Sequence, residues 1–299
     1  MKKDLLSLFD LSKEEIEGLF ERTAQFKRGR PHPTLAGKVL GLIFEKPSTR
    51  TRVSFEVGML QLGGHAIFLN PKDLQLGRGE PIKDTARVLS RYLDGVVLRT
   101  HSHGTIQEFA RYATIPVING LSDLLHPCQL LADLFTIIEA KGGLKGLKIS
   151  FIGDGNNMAN SWVEAAIILG LDLTLACPRG YEPDGEIMKR AGRNVRLTHD
   201  PFDAAEGADV INTDVWASMG KEAEAEERRA AFKDYQVNEK LLKAAKPDAI
   251  VLHCLPAHRE EEITDEVLEA HFPEILNQAE NRLHIQKAIL EKFLGEKSR

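Results

Sequence analysis

Cysteine is scarce in this sequence. Its three thiols, Cys128, Cys177 and Cys254, are scattered through 299 residues, odd in number and without C-x-x-C spacing. That excludes a disulfide framework, argues against a zinc site and fits a reducing compartment, so the expected location is cytoplasmic. Apolar runs of membrane-spanning length are missing. Met1-Lys2-Lys3-Asp4 leads into a Glu-rich amphipathic stretch rather than an apolar signal region. There is no basic excess either: net charge is −5 and no long Lys/Arg run occurs, so neither nucleic acid nor a membrane is an expected partner. A small anionic ligand needs only a few local cations and remains compatible. Internal repeats and low-complexity segments are also lacking.

What is present is a regular alternation of short apolar runs and helical stretches. The first half reads as strands at Val39 to Phe44, Ala66 to Leu69, Val96 to Arg99 and Pro116 to Ile118. Helices fall between them, and a long apolar helix runs from Pro127 to Glu139. In the helix from Thr49 to Leu62, Val53, Val57 and Leu60 share one face and form the expected core stripe. After Lys141-Gly142-Gly143 the alternation restarts. Strands are expected at Lys148 to Ile152, Leu173 to Ala176, Val195 to Thr198, Val210 to Asn212 and Ile250 to His253, with a last helix from about Gln278. Two rounds of alternation predict an α/β chain of two domains, each a mostly parallel sheet flanked by helices, divided as residues 1–141 and 142–282. The Glu/Ala-rich stretch from Gly220 to Arg229 reads as a solvated segment whose charges have no special role.

In such folds ligands bind beyond the carboxyl ends of strands, so those positions carry the functional reading. After Phe44 comes Lys46-Pro47-Ser48-Thr49-Arg50-Thr51-Arg52, entering a helix. Ser48 or Thr49 is a natural N-cap, and a helix start with hydroxyls and arginines suits phosphate. The plain alternative is a capped helix with solvated arginines. Arg99 ends a buried strand and must reach solvent or pair with an anion. His101 and His103 lack a third ligand and are assigned no metal role. His126-Pro127-Cys128-Gln129 opens the long helix, with Pro127 fixing the entry. His126 and Gln129 lie one turn apart, offering a donor for a carbonyl oxygen and an amide for a carbamoyl nitrogen. A cap with a satisfied histidine would look the same.

Ser-Thr-Arg-Thr-Arg followed by His-Pro-x-Gln resembles the transcarbamoylase family, and the likeness runs along essentially the whole chain. It implies that Ser48, Thr49, Arg50 and Thr51 bind the phosphate of carbamoyl phosphate. It implies that Arg99 and His126 hold the carbonyl oxygen and Gln129 the carbamoyl amide, with Pro127 and Cys128 in the same binding segment. Gln75 matches a position that reaches a neighbouring subunit's site, which implies a homotrimer or a multiple of trimers. Arg282, read as opening the final helix, matches an arginine that reaches carbamoyl phosphate. The C-terminal helix, 283–299, is expected to pack back on the first domain.

Gly153-Asp154-Gly155-Asn156-Asn157-Met158 superficially matches a dinucleotide fingerprint. Met158 occupies the third glycine position and no acid ends the next strand, so no nicotinamide cofactor is expected. The amides of Asn156 and Asn157 suit a carboxylate. Asp214-Val215-Trp216-Ala217-Ser218-Met219-Gly220 offers a carboxylate and a hydroxyl for an ammonium group. Asp-x-x-x-Ser-Met-Gly together with His253-Cys254-Leu255-Pro256 resembles the ornithine-using branch of the family. The match implies that Asn157, Asp214, Ser218 and Met219 bind ornithine's amino-acid end. It implies that Cys254 and Leu255 flank the reacting amine beside carbamoyl phosphate, and that Arg99, His126, Cys254 and Asp214 carry the catalysis. No cofactor and no metal is expected. The competing expectations are a sibling enzyme with another amine acceptor and a non-catalytic phosphate-binding module.

Overall fold

A computed structural model of the chain describes residues 3–29, 32–74, 79–217 and 224–295. It divides into two compact units, Met1–Leu131 with Arg282–Arg299, and Ala132–Asn281.

The first unit is built on a parallel four-stranded sheet of order β2-β1-β3-β4. Its strands are β1 (Val39–Phe44), β2 (His65–Leu69), β3 (Gly95–Arg99) and β4 (Val117–Leu121). Around them lie α1 (Lys13–Arg28), α2 (Thr49–Gln61), α3 (Ile82–Leu89) and α4 (His103–Tyr112), and α5 (Pro127–Lys141) begins here. Leu40, Leu42, Val96, Val97, Val117 and Ile118 are buried, as strands covered on both faces require. The N-terminal segment adds to the β4 side: the N–H of Leu5 donates to the carbonyl of Val117 and that of Asn119 to Leu5.

Helix α2 turns a different face inward from the one its sequence suggests. Phe55, Met59 and Leu62, spaced i, i+4, i+7, are buried, while Val53 and Leu60 are 48% and 70% exposed. The helix carries two apolar stripes at helical spacing. The one with the bulkier residues fills the core, leaving Val53 and Leu60 exposed and Val57 half-buried.

The second unit holds a parallel five-stranded sheet of order β7-β6-β5-β8-β9. The strands are β5 (Lys148–Ile152), β6 (Asp172–Ala176), β7 (Val195–Thr198), β8 (Val210–Thr213) and β9 (Ile250–His253). The helices are α6 (Asn157–Leu169), α7 (Gly185–Met188), α8 (Pro201–Ala205), α9 (Ala225–Phe232), α10 (Glu239–Leu242), α11 (Asp265–Ala270) and α12 (Phe272–Leu294). Trp216, Phe232, Tyr235, Val251 and Ile275 belong to one buried cluster against this sheet.

The unit boundaries fall inside helices α5 and α12. Helix α12 begins earlier than the sequence suggests. Pro273 occupies its first turn, where the missing N–H costs nothing, so Glu280-Asn281-Arg282 lies mid-helix rather than at its start. Within the second unit the early part of α12 is bolted down by polar contacts. Gln278 donates to Asp133 (2.6 Å) and accepts from the backbone N–H of His253 (3.0 Å), and Asn281 donates to Thr136 and Glu139.

Each sheet has one place where the strand order reverses direction, between β1 and β3 in the first and between β5 and β8 in the second. The carboxyl-end crevice at such a switch point is where open α/β sheets bind ligands.

Candidate functional site

In the first unit the switch-point segments are the ones that carry hydroxyls, arginines and a histidine. Ser48 caps α2, its Oγ accepting from the N–H of Thr51 (3.2 Å). The exposed N-terminal turn of α2 thus presents Thr49 and the half-buried Arg50, with the helix dipole positive at that end. Arg52, one turn on, pairs with Glu56 (2.9 Å) and stacks over Phe68, a structural role. Arg99 closes β3 and is only 6% exposed. Its carbonyl accepts from the N–H of Glu45, whose carboxylate takes the N–H of His101, so the ends of β1 and β3 are tied together. The neighbouring His103 is spent on Ser122 (3.0 Å).

His126 and Gln129 are buried at the start of α5. Arg282, from α12, joins them: its guanidinium donates to Gln129 Oε1 (2.7 Å) and to Thr51 Oγ1 (2.6 Å). Arg282 therefore links the α2 start to the α5 start. Burial, then the charges of Arg282 and Arg99, push the His126 imidazolium well below its ordinary range, so the ring is neutral at pH 7. Cys128 points its thiol at the carbonyl of Asn119 (3.4 Å), and burial pushes that thiol up to about 12; its side chain is structural. Ser48, Thr49, Arg50, Thr51, Arg99, His126, Pro127, Gln129 and Arg282 all fall in the first unit, whereas Gln75 lies outside the described residues.

In the second unit Asp214 follows β8 directly and is 7% exposed. One of its oxygens accepts from the Asn156 amide (2.8 Å); the other accepts the thiol of Cys254 (3.1 Å) and the N–H of Val215. Asn156 is the N-cap of α6, its Oδ1 taking the N–H groups of Met158 and Ala159. Of the two neighbouring amides, Asn156 is thus committed to the fold, and Asn157, half-buried at the first helical position, is the ligand candidate. Gly155 is not a phosphate-approach glycine. A Cβ there would overlap the backbone of Glu182 and Pro183, so this chain's own loop fills the space that a pyrophosphate would need.

Cys254 directly follows β9, half-buried, and none of the three cysteines is in a disulfide. Leu255 comes next with φ 55°, a left-handed conformation that costs a branched residue about 1–2 kcal/mol. Its N–H donates to Nδ1 of His253 (2.9 Å), whose Nε2 faces Glu262 (2.9 Å) with both side chains fully buried. The geometry fixes the tautomer: Nδ1 accepts, so Nε2 carries the proton and donates to Glu262. Asp214, His253 and Cys254 are close enough to suggest a metal cluster. Both imidazole nitrogens are already used, however, and His253 has no lone pair to give. Ser218 and Met219 lie outside the described residues.

One residue escapes the sequence reading altogether. The charges of 220–229 are not all solvated. Arg228 is 4% exposed and donates to Asp154 (3.0 Å), to the carbonyl of Trp216 (2.7 Å) and to Glu224 (3.1 Å). The available signal is its i, i+4 spacing to Phe232, which places both on the buried face of α9.

Comparison with known proteins identifies the family of both halves of the chain. Residues 3–139 match the aspartate/ornithine carbamoyltransferase carbamoyl-P binding domain, and residues 145–293 match the Asp/Orn binding domain of the same family. An ornithine carbamoyltransferase of Geobacter sulfurreducens is 56% identical over 98% of this chain and all of its own length. An anabolic ornithine carbamoyltransferase of Pyrococcus furiosus is 55% identical over 98% of this chain and 96% of its own. The solved ornithine carbamoyltransferase structure from Pyrococcus furiosus superposes with a TM-score of 0.94, at 54% identity over 99% of this chain and 98% of that one. An N-acetyl-L-ornithine transcarbamylase shares the fold at 32% identity, with a TM-score of 0.87 over 97% of this chain and 99% of that one. The chain belongs to the aspartate/ornithine carbamoyltransferase family.

Proposed function

We propose that the protein transfers the carbamoyl group of carbamoyl phosphate to the δ-amine of L-ornithine, giving L-citrulline and phosphate. The observation that carries this is the pairing of two chemistries with two switch points. An arginine- and hydroxyl-lined helix start, joined by the neutral buried His126 from beyond the next strand, serves the anionic donor, and Asp214, tied to Cys254 and to Asn156, serves the amino-acid acceptor. The relatives at 54–58% identity, all named ornithine carbamoyltransferase, support the same acceptor. Two proteins named anabolic, from Pyrococcus furiosus at 55% identity and Campylobacter jejuni at 46%, support the biosynthetic direction, arginine synthesis.

The donor is already activated, so the protein's task is to position two substrates and stabilise charge. Ser48, Thr49, Arg50 and Thr51 hold the phosphate at the α2 start. Arg99 and His126 donate to the carbonyl oxygen, and that oxygen's charge grows as the neutral δ-amine attacks carbon. Gln129 takes the carbamoyl amide, and its orientation is fixed by Arg282. Asn157 and Asp214 receive ornithine's carboxylate and ammonium, with Cys254 and the Leu255 backbone beside the δ-amine. The new C–N bond forms, the C–O bond to phosphate breaks, and departing phosphate accepts the amine proton.

The working particle is a homotrimer or a multiple of trimers in the cytoplasm. The uncovered stripe of Val53 and Leu60 on α2, with Ile67 on the adjoining edge strand β2 also 46% exposed, supports burial against another copy. Three cysteines outside any disulfide support a reducing compartment. Among the described residues no helix is long and apolar enough to cross a membrane. Citrulline formation from purified protein, with alternative amines in parallel, tests the reaction and the acceptor together.

A further inference from the structure

We propose that Arg228 is a positioning residue for the acceptor, setting the separation of the two segments that receive ornithine's amino-acid end. The inference rests on the ornithine reading and names a residue outside the binding set.

The two segments leave adjacent strands. The β5 turn carries Asp154, Asn156 and Asn157; the β8 turn carries Asp214 and Trp216. Hydrogen bonds within the sheet stop at Ile152↔Thr213, so beyond that pair the two turns must be held by side chains. One brace is the Asn156–Asp214 hydrogen bond. Arg228 is a second. A single nitrogen of its guanidinium donates both to the Asp154 carboxylate on the β5 side and to the Trp216 carbonyl on the β8 side. Its Nε reaches Glu224, and its Cζ lies 5.0 Å from the Tyr181 ring centre. Tyr181 in turn receives the N–H of Gly155 on its carbonyl. Trp216 stacks on Phe232, four residues beyond Arg228 on α9, so the same helix grips that residue by backbone and by ring.

Both partners of the ion pair are almost fully buried, at 5% and 6% side-chain exposure. Breaking a buried pair leaves an uncompensated charge, which makes the brace stiff. Lysine cannot replace it. An ammonium lacks the planar fork that spans a carboxylate, a carbonyl and a ring face together.

The test is steady-state kinetics of full-length Arg228→Lys and Arg228→Gln, with Asp154→Asn approaching the same brace from its other side. L-norvaline, which has ornithine's amino-acid end and no δ-amine, serves as inhibitor. The KM for ornithine and the inhibition constant of norvaline should both rise about tenfold or more, with the KM for carbamoyl phosphate within about twofold of the parent. Unchanged ornithine and norvaline constants in any folded variant overturn the proposal. So does equal weakening toward both substrates, the mark of general loosening. If the parent protein itself fails to carbamoylate ornithine, the functional reading fails first and this inference falls with it.

Discussion

The thiol of Cys254 donates to a carboxylate oxygen of Asp214 across 3.1 Å, joining the ends of β9 and β8. Two non-adjacent stretches of sequence, each ordinary alone, thereby become one polar pair. Asp214 also accepts from an amide and a backbone N–H, so its carboxylate is held by three donors.

Asp214→Asn should separate binding from fold. It removes the charge that attracts an ammonium while keeping a side chain of the same shape. The expected result is a rise in ornithine KM on the order of 10–100-fold with little change in carbamoyl phosphate KM. Cys254→Ala should act mainly on kcat. An Asp214→Asn enzyme with parental ornithine KM would remove that residue from the acceptor set.

The buried histidines predict how stability depends on pH. His126, His103 and His271 all have folded pKa values below the ordinary 6.5, in each case led by burial. Below pH 6.5 the unfolded chain takes up protons that the folded chain refuses. Stability should therefore be fully present above about pH 6.5 and fall as pH drops through and below it. Carboxylates add a second loss further down. Burial alone would raise Glu15, but Lys3, the Ser12 N–H and Lys292 together hold it at about 2, so it matters only below its ordinary 4.5. Denaturant titrations across this range check the first step. Stability that stays level from pH 7 to about pH 5 would contradict it. Because His126 stays neutral throughout, the rate should instead climb toward the amine's ordinary value near ~10.4, and a flat profile between about pH 6 and about pH 9 would count against amine deprotonation.

The cations around His126 predict stabilisation by anions. Carbamoyl phosphate at about 100 times its Kd should add about 2.7 kcal/mol, seen as a raised Tm. Arg50→Ala should weaken its binding by about 2–5 kcal/mol. Unchanged affinity would take Arg50 out of the phosphate site.

The α2 stripe predicts assembly. Leu60→Glu should convert the oligomer to monomers in light scattering without unfolding, since Leu60 is 70% exposed in the single chain. A variant that assembles like its parent would place the interface elsewhere.

Much of the fold is legible in the sequence because strand–helix alternation and strand-end position are local properties. All nine strands found among the described residues are expected from the sequence, to within three residues at their ends; Arg99, Asp214 and Cys254 stand where strands finish, and Ser48, His126 and Asn157 at the helix starts that follow. What is not legible depends on tertiary choice. Periodicity marks Val53, Val57 and Leu60 as a stripe but cannot say that Phe55 and Met59 win the core. Composition makes Arg228 look solvated because its partners, Asp154 and Trp216, are distant in sequence. Arg282 is found, but not its position within a longer helix, since Pro273 is compatible with a helix start as well as with a loop. Asn156 and Asn157 look equivalent as letters, and only the capping geometry shows that Asn156 is committed to the start of α6.

The most direct measurement is citrulline formation from carbamoyl phosphate and ornithine, with putrescine, aspartate and N-acetylornithine as parallel acceptors. Strong turnover with ornithine and little with the other three is the expected result. Turnover only with another amine, or none from folded protein, would contradict the account.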